Sequence, residues 1–348
     1  METLKVASLF CGCGGTDVGL IGNFDFLGRH YDANGIEIVY ANDIDDNACS
    51  IFEKNFGITP DKRDIRTVSS DELPEFDILT GGFPCQSFSI VAQNPPRLGI
   101  KDDRGMLFFE MCRILREKQP KCFIAENVKG LLRDKFKPYF DYILMRLSYP
   151  ECGQKHGESW QSHANRLRLI SKELNSYEGV RYRVQYKLLN AADYGVPQVR
   201  ERVFIVGIRT DINVEWKWPE PICPTPKCRI PISAVLRDVP DPSEVLKYAE
   251  DHIFIGGAKI YPGHTGSDID KPSKTIKAGA HGVPGGENML RFRDGSVRYM
   301  TVHEAKLIQS FPRDYKITGS WGEALRQIGN AVPVALANVV AQGLYSLL

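Results

Sequence analysis

Four short apolar runs recur within the first 125 residues, at 5–10, 37–41, 76–80 and 121–125, and each closes on a small, polar or acidic tip. Runs of this length with no polar alternation read as strands covered on both faces. Helical patterning separates them, over 46–55 and 106–118, and follows them at 139–147. Strands alternating with helices predict an α/β fold with a mostly parallel, doubly wound sheet, extended by strands at 182–188 and 202–208. In such a sheet, ligands gather outside the carboxyl ends of the strands. The residues at those tips are therefore the candidates for function.

At 348 residues the chain is long enough for two lobes. Its texture changes after about residue 210. Prolines crowd 219–242, and 256–295 is rich in Gly, Pro and His with little periodicity. The expected division is a large domain of 1–210 plus 323–348 and a smaller, irregular one of 211–322. Helical patterning returns at 302–309, and an apolar helix is expected over 327–348. The segment 148–180 is a polar insertion with helical character at 161–174, and 86–104 reads as a long loop of the kind that forms functional lids. No apolar run is long enough to span a bilayer, and the first residues lack a signal peptide's layout, so a cytoplasmic enzyme is expected. Net charge is +1, which leaves nucleic acid open as a partner. Nine cysteines is an odd number, and their scatter suits reduced thiols. Neither Cys11-x-Cys13 nor Cys223-x4-Cys228 has a second pair at zinc spacing, so no metal site is expected.

Phe10-x-Gly12-x-Gly14-Gly15 lies between a strand and a helix that Thr16 or Asp17 could cap. The glycines allow a tight turn of nucleotide-binding type, but the spacing departs from that of a dinucleotide pyrophosphate loop. Asp43 ends the next strand, where an acid accepts hydrogen bonds from a ribose. Asp64 could meet an adenine amino group. Together these point to an adenosyl ligand without pyrophosphate, and S-adenosylmethionine fits. Gly81-Gly82-Phe83-Pro84-Cys85 ends another strand, and Pro84 stiffens the turn that would present Cys85 as a nucleophile.

Phe10–Gly15, Gly82-Phe-Pro-Cys85-Gln86, Asp103-Arg104-Gly105, Glu126-Asn127-Val128, Gln198-Val-Arg200-Glu-Arg202, Gln309-Ser-Phe-Pro312 and Gly329-Asn330-Ala-Val332-Pro333 follow one another in this order. In this the chain resembles the DNA cytosine-5 methyltransferases, in the compact bacterial form that accompanies restriction enzymes, over nearly its whole length. The resemblance implies a Rossmann-like methyltransferase sheet with a smaller target-recognition domain. It makes Cys85 the thiolate that adds to cytosine C6, since C5 becomes nucleophilic only after such an addition. Glu126 would share a proton with N3, which requires a raised pKa. Arg202 would hold O2, Arg200 would position nearby phosphate or loop atoms, and Asn127 would orient the loop carrying Cys85. The cofactor would rest on Phe10, Gly12, Gly14, Gly15, Asp43, Ile44, Asp64, Ile65, Pro84, Leu107, Asn330, Ala331 and Val332.

A thiol cannot reach C6 inside a duplex, so the resemblance also implies base flipping. Gln86, Ser87, Ser89, Arg97, Lys101 and Arg104 would then serve the DNA from a closing loop. Thr275, His281, Arg291, Arg293 and Arg298 would contact it from the recognition domain. The expected partners are double-stranded DNA and, acting separately, a cognate restriction endonuclease; the expected state is a monomer. Three other readings remain at this point: a tRNA cytosine-5 methyltransferase, a catalytically inactive DNA-binding relative, and a nicotinamide oxidoreductase. The first is disfavoured because Lys129-Gly130-Leu131 stands where that branch carries Cys-Phe-Thr. The second is disfavoured by the intact Cys85, Glu126 and Arg202, and the third by the glycine spacing.

Overall fold

A computed structural model describes residues 3–83, 107–173, 177–244, 248–278 and 288–344. Along the chain come β1 (Leu4–Leu9), α1 (Gly15–Ile21), β2 (Phe24–Phe26), β3 (Arg29–Tyr31), β4 (Ile36–Asn42), α2 (Asp46–Phe56) and β5 (Ile78–Gly81). Then follow α3 (Leu107–Lys118), β6 (Cys122–Val128), α4 (Lys137–Ser148), α5 (Trp160–Lys172), β7 (Tyr182–Asn190) and β8 (Glu201–Arg209). The remainder forms α6 (Ile232–Val235), β9 (Ser267–Asp268), β10 (Met289–Arg291), β11 (Val297–Tyr299), α7 (Val302–Ile308), α8 (Trp321–Asn330) and α9 (Val334–Gln342).

The main sheet has six strands in the order β4-β1-β5-β6-β8-β7. β4, β1, β5 and β6 are parallel, whereas β8 runs antiparallel to both β6 and β7. The expectation of a mostly parallel sheet thus gains one reversed strand. The connection 191–200 is too short for a helical crossover and returns the chain antiparallel beside β7. Both faces of the sheet are covered by apolar cores, one shared with α1, α7, α8 and α9 and the other with α3, α4 and α5. α1 and α9 approach so closely that a Cβ on Gly19 would lie 2.5 Å from both the Ala337 side chain and the Val334 carbonyl. The Asn338 amide donates to the Gly19 carbonyl across the same contact (3.0 Å).

Three local expectations change. The apolar helix expected at 327–348 is two helices, α8 and α9. Pro333 has no N–H to donate and drives Val332 out of helical geometry, so the chain breaks there. α1 is capped by neither Thr16 nor Asp17: Gly14, in the left-handed region (φ 81°), is the N-cap, and Asp17 is a buried helix residue. The insertion at 148–180 carries α5, which packs on α4. The Tyr142 hydroxyl and His163 Nδ1 are 2.8 Å apart, and His163 Nε2 lies 2.9 Å from the Cys152 carbonyl. That segment is therefore part of the core.

Beyond β8, a small sheet of β9, β10 and β11 leads into α7, whose Thr301 and Glu304 form a capping box. Cys223 and Cys228 are joined as a disulfide across a tight turn, their Cα atoms 5.5 Å apart, so these two are not the reduced thiols expected from the sequence. Among the described residues no helix is long and apolar enough to cross a membrane.

Candidate active site

The carboxyl ends of β1, β4, β5 and β6 and the amino end of the reversed β8 open onto one cavity of about 360 Å³, closed on a further side by the end of α8. At one end lies the glycine loop. Phe10 and Gly12 both have positive φ (53° and 55°), and a Cβ at Gly12 would meet nothing within 4 Å, so this loop presents bare backbone to the cavity. Gly14 serves packing instead. A Cβ there would lie 2.4 Å from the Phe56 ring, and the residue does not border the cavity. Gly15 packs against the chain's return, since its Cβ would come within 2.6 Å of the Val332 carbonyl. That contact brings Asn330, Ala331 and Val332 to the cavity wall.

Asp43 fastens this end together. The Gly12 N–H donates to its Oδ2 and the Asp45 N–H to its Oδ1, both at 2.9 Å. Burial raises its pKa, partly offset by those two N–H groups. Asp45 caps α2 and receives Arg326 Nη2 (2.5 Å) and Gln327 Nε2 (3.0 Å) from α8. Arg326 and Gln327 both line the cavity. No local pattern could find them, because they reach the site from an element 281 residues away in sequence.

At the other end, sheet register places the polar side chains. Glu126 is paired with Phe204 and Val128 with Arg202, so Glu126 and Arg202 are diagonal neighbours on one face. Arg202 Nε lies 2.7 Å from Glu126 Oε1, with both side chains largely buried. Desolvation raises the Glu126 pKa, and the Arg202 and Arg200 charges pull it back. The Asn127 amide donates to the Phe83 carbonyl (3.1 Å), two residues before Cys85, and its Oδ1 accepts from the Val128 N–H (3.0 Å).

Between the two ends the cavity wall contains Ser8, Asp17 and Thr80, none of them singled out as ligand residues from the sequence. All three are buried, and Ser8 and Thr80 are direct register partners on β1 and β5. Burial pushes the Asp17 carboxyl up to about 7, with the nearby Ser8 hydroxyl opposing it. Neither Asp17 oxygen, nor the Thr80 hydroxyl, has a partner in hydrogen-bonding geometry among the described residues.

Several expected residues stand elsewhere. Arg200 is fully buried behind the wall, donating to the carbonyls of Ile276 (2.9 Å), Gly329 (2.5 Å) and Ala331 (3.0 Å). Its guanidinium is thus engaged by backbone carbonyls within the fold. Ile44 is 69% exposed and does not line the cavity. Asp64 caps a short turn and pairs with Arg66 (2.6 Å), and Ile65 is buried in the core beneath α3; neither borders the cavity, nor does Leu107 at the start of α3. The Thr275 hydroxyl donates to the Val199 carbonyl (2.8 Å). Arg291 and Arg293 pair with Asp268 (3.1 Å) and Asp270 (2.7 Å). Arg298 is buried between Glu304 and Asp241 and offers DNA nothing, a correction to its expected role. Pro84, Cys85, Gln86, Ser87, Ser89, Arg97, Lys101, Arg104 and His281 lie outside the described residues.

Comparison with known proteins gives one consistent answer. The family model for C-5 cytosine-specific DNA methylase matches residues 4–150, 159–274 and 258–346. The Type II methyltransferase M.NgoFVII of Neisseria gonorrhoeae is 32% identical over 359 residues, covering 94% of this chain and 83% of that protein. M.HhaI of Haemophilus parahaemolyticus is 28% identical, covering 99% and 95%. Among solved structures, the S. pombe Dnmt2 methyltransferase superposes with a TM-score of 0.67 at 19% identity, covering 99% of each chain. A putative DNA modification methyltransferase encoded within an E. coli prophage also gives 0.67, at 18% identity.

Proposed function

This chain belongs to the C-5 cytosine-specific DNA methylases, enzymes that transfer a methyl group from S-adenosylmethionine to cytosine in DNA, and from that premise we propose that it acts through a covalent bond between Cys85 and C6 of a flipped cytosine. The observation that carries the reading is the Glu126–Arg202 pair at 2.7 Å in the same cavity as the bare glycine loop and Asp43. One end can take a base and the other an adenosyl group.

The residues fit S-adenosylmethionine. Gly12 leaves open a cradle that a side chain would fill, Asp43 is anchored where a ribose would lie, and the buried Thr80 hydroxyl lacks a partner among the described residues. Phe10, Gly12, Gly15, Asp43, Asn330, Ala331 and Val332 would hold it. When bound, it supplies a methyl group on a sulfonium, which only a nucleophilic C5 accepts. The Cys85 thiolate creates that nucleophile by forming the S–C6 bond and pushing an electron pair toward N3 and O2. Glu126 meets the developing charge with a proton at N3, a task its raised pKa suits. Arg202, with its fixed fork of donors, holds O2. Asn127 fixes the backbone at Phe83 and so the turn leading to Cys85. After transfer the C5 proton leaves to a base, the S–C6 bond breaks, and the thiolate is expelled.

The DNA would lie against residues 86–104 and the region 211–322. Thr275, Arg291 and Arg293 support that placement by sitting in the second of these. Among the described residues the two arginines are held by surface ion pairs, which are weak enough to exchange for phosphate. Action as a monomer in the cytoplasm, beside a separate restriction endonuclease, completes the proposal, supported by the chain's likeness to Type II methyltransferases.

A duplex carrying 5-fluorocytosine tests the covalent step, because fluorine at C5 cannot leave as a proton. With S-adenosylmethionine present, wild-type protein should form an adduct that survives denaturation, and Cys85→Ala should form none. A denaturation-stable adduct with Cys85→Ala, or none with a wild-type enzyme active on ordinary DNA, would exclude Cys85 as the nucleophile.

A further inference from the structure

The cavity wall that also carries the glycine loop and Glu126 holds an unusual combination. Among the described residues, wholly buried Asp17 has no partner in hydrogen-bonding geometry for either carboxyl oxygen, and Thr80 beside the same space has none for its hydroxyl. Buried polar atoms in folded proteins almost always have partners, and an orphaned carboxylate is among the most costly groups to leave alone. No lysine or arginine among the described residues acts on the Asp17 pKa. The Ser8 hydroxyl, which opposes the rise of the Asp17 pKa, is neutral and comes from β1. A helix-capping role is also absent, because Gly14 occupies that position. The fold thus maintains an acid with unfilled acceptors in the cavity wall, and no cation among the described residues neutralises it.

We propose that Asp17, with Thr80, forms the subsite for the primary ammonium of the cofactor's methionyl moiety. Two carboxylate oxygens and one hydroxyl oxygen match the three N–H donors of an ammonium. Of the charged groups on S-adenosylmethionine, the carboxylate is repelled by Asp17. The sulfonium has no N–H to donate, and its methyl must face the base at the Glu126–Arg202 end. The ammonium is the group left for this part of the wall. Asp17 is then a positioning residue: by fixing the methionyl end opposite the ribose acceptor Asp43, it sets the direction in which the sulfonium points.

The inference rests on the cavity being the cofactor site, and the two are tested apart. Binding of S-adenosylhomocysteine by Asp43→Ala, measured by calorimetry, tests the site; loss of binding supports it, and unchanged affinity sinks it. The subsite is tested by comparing S-adenosylhomocysteine with its analogue in which hydrogen replaces the α-amino group. Wild-type protein should prefer the amino compound by roughly ten- to a hundredfold, the worth of a charge-assisted hydrogen bond. Asp17→Asn should reduce that preference to a few-fold, chiefly by weakening the amino compound. Thr80→Val, a near-isosteric change, should reduce it part way. The wild-type comparison needs no variant, so a folding defect cannot mask the result. Equal affinity of wild type for both compounds, or an undiminished preference in a folded Asp17→Asn protein, overturns the proposal.

Discussion

Glu126 and Arg202 face each other because β6 and β8 are antiparallel in a register that puts them on one diagonal. Replacing the acid with its amide keeps the shape and removes the transferable proton. Glu126→Gln should therefore lower kcat by roughly 10²- to 10⁴-fold, the usual worth of a positioned acid, in single-turnover methyl transfer. Because desolvation raises the Glu126 pKa, the protonated acid extends to higher pH than for a free carboxyl. Wild-type turnover should fall on the alkaline side as Glu126 ionises, and that limb should be missing from the residual activity of Glu126→Gln. An identical alkaline limb in both would assign it to another group. This part of the site was legible in the sequence because each residue stands at the tip of its own strand in a contiguous motif. Asp17 was not: an acid in the first turn of a helix reads as a cap. Its burial comes from the way α1 packs against α9 and β4, which no local pattern records.

The same limit appears among the elements. Apolar runs identified β1, β4, β5 and β6, and helical spacing identified α2 through α5. The reversal of β8 depended on a connection length, and the division of α8 from α9 on a single proline inside an apolar stretch. The hairpin of β2 and β3 escaped notice because its strands have only three residues each, too few for a periodic signal. The contact of α1 with α9 is the join that brings the chain's end back to the glycine loop, and Gly19 is its narrowest point. Two of the three atoms nearest a Cβ there are backbone atoms, Val334 O and Asn338 N at 2.5 and 2.8 Å, which cannot swing aside as a side chain would. Gly19→Ala should destabilise the protein by about 1–3 kcal/mol, visible as a lower Tm in thermal denaturation. It should also weaken S-adenosylhomocysteine binding, because Val332 moves with α9. An unchanged Tm would show that the helices part at no cost. Arg200 acts at this scale too, tying the α8 end to residue 276; Arg200→Lys keeps the charge but cannot reproduce three carbonyl contacts, and should raise KM for both cofactor and DNA.

Across the whole molecule, two acids, Asp251 and the buried Asp17, push stability in opposite directions as pH changes. Asp251 is held down to about 2 by His303 and Lys306, against the desolvation it suffers. Its folded-state pKa is below the unfolded value of 3.8, so its contribution is present above about pH 4 and disappears as pH falls toward 2. Asp17 is the reverse case. Burial raises it to about 7, so between roughly pH 4 and 7 the folded chain holds a proton that the unfolded chain has released. Stability of the cofactor-free protein must then decline as pH rises through that window, by roughly 4 kcal/mol at most, and level off above it. Asparagine has the same shape and no proton to lose. Asp17→Asn should therefore match wild type near pH 4 and exceed it at pH 7.5, with denaturant midpoints diverging steadily between. Parallel midpoints across the range would mean that Asp17 does not carry the proton its surroundings demand. A residue that lowers stability at neutral pH, where an asparagine of equal size would not, has its explanation in what the cavity binds.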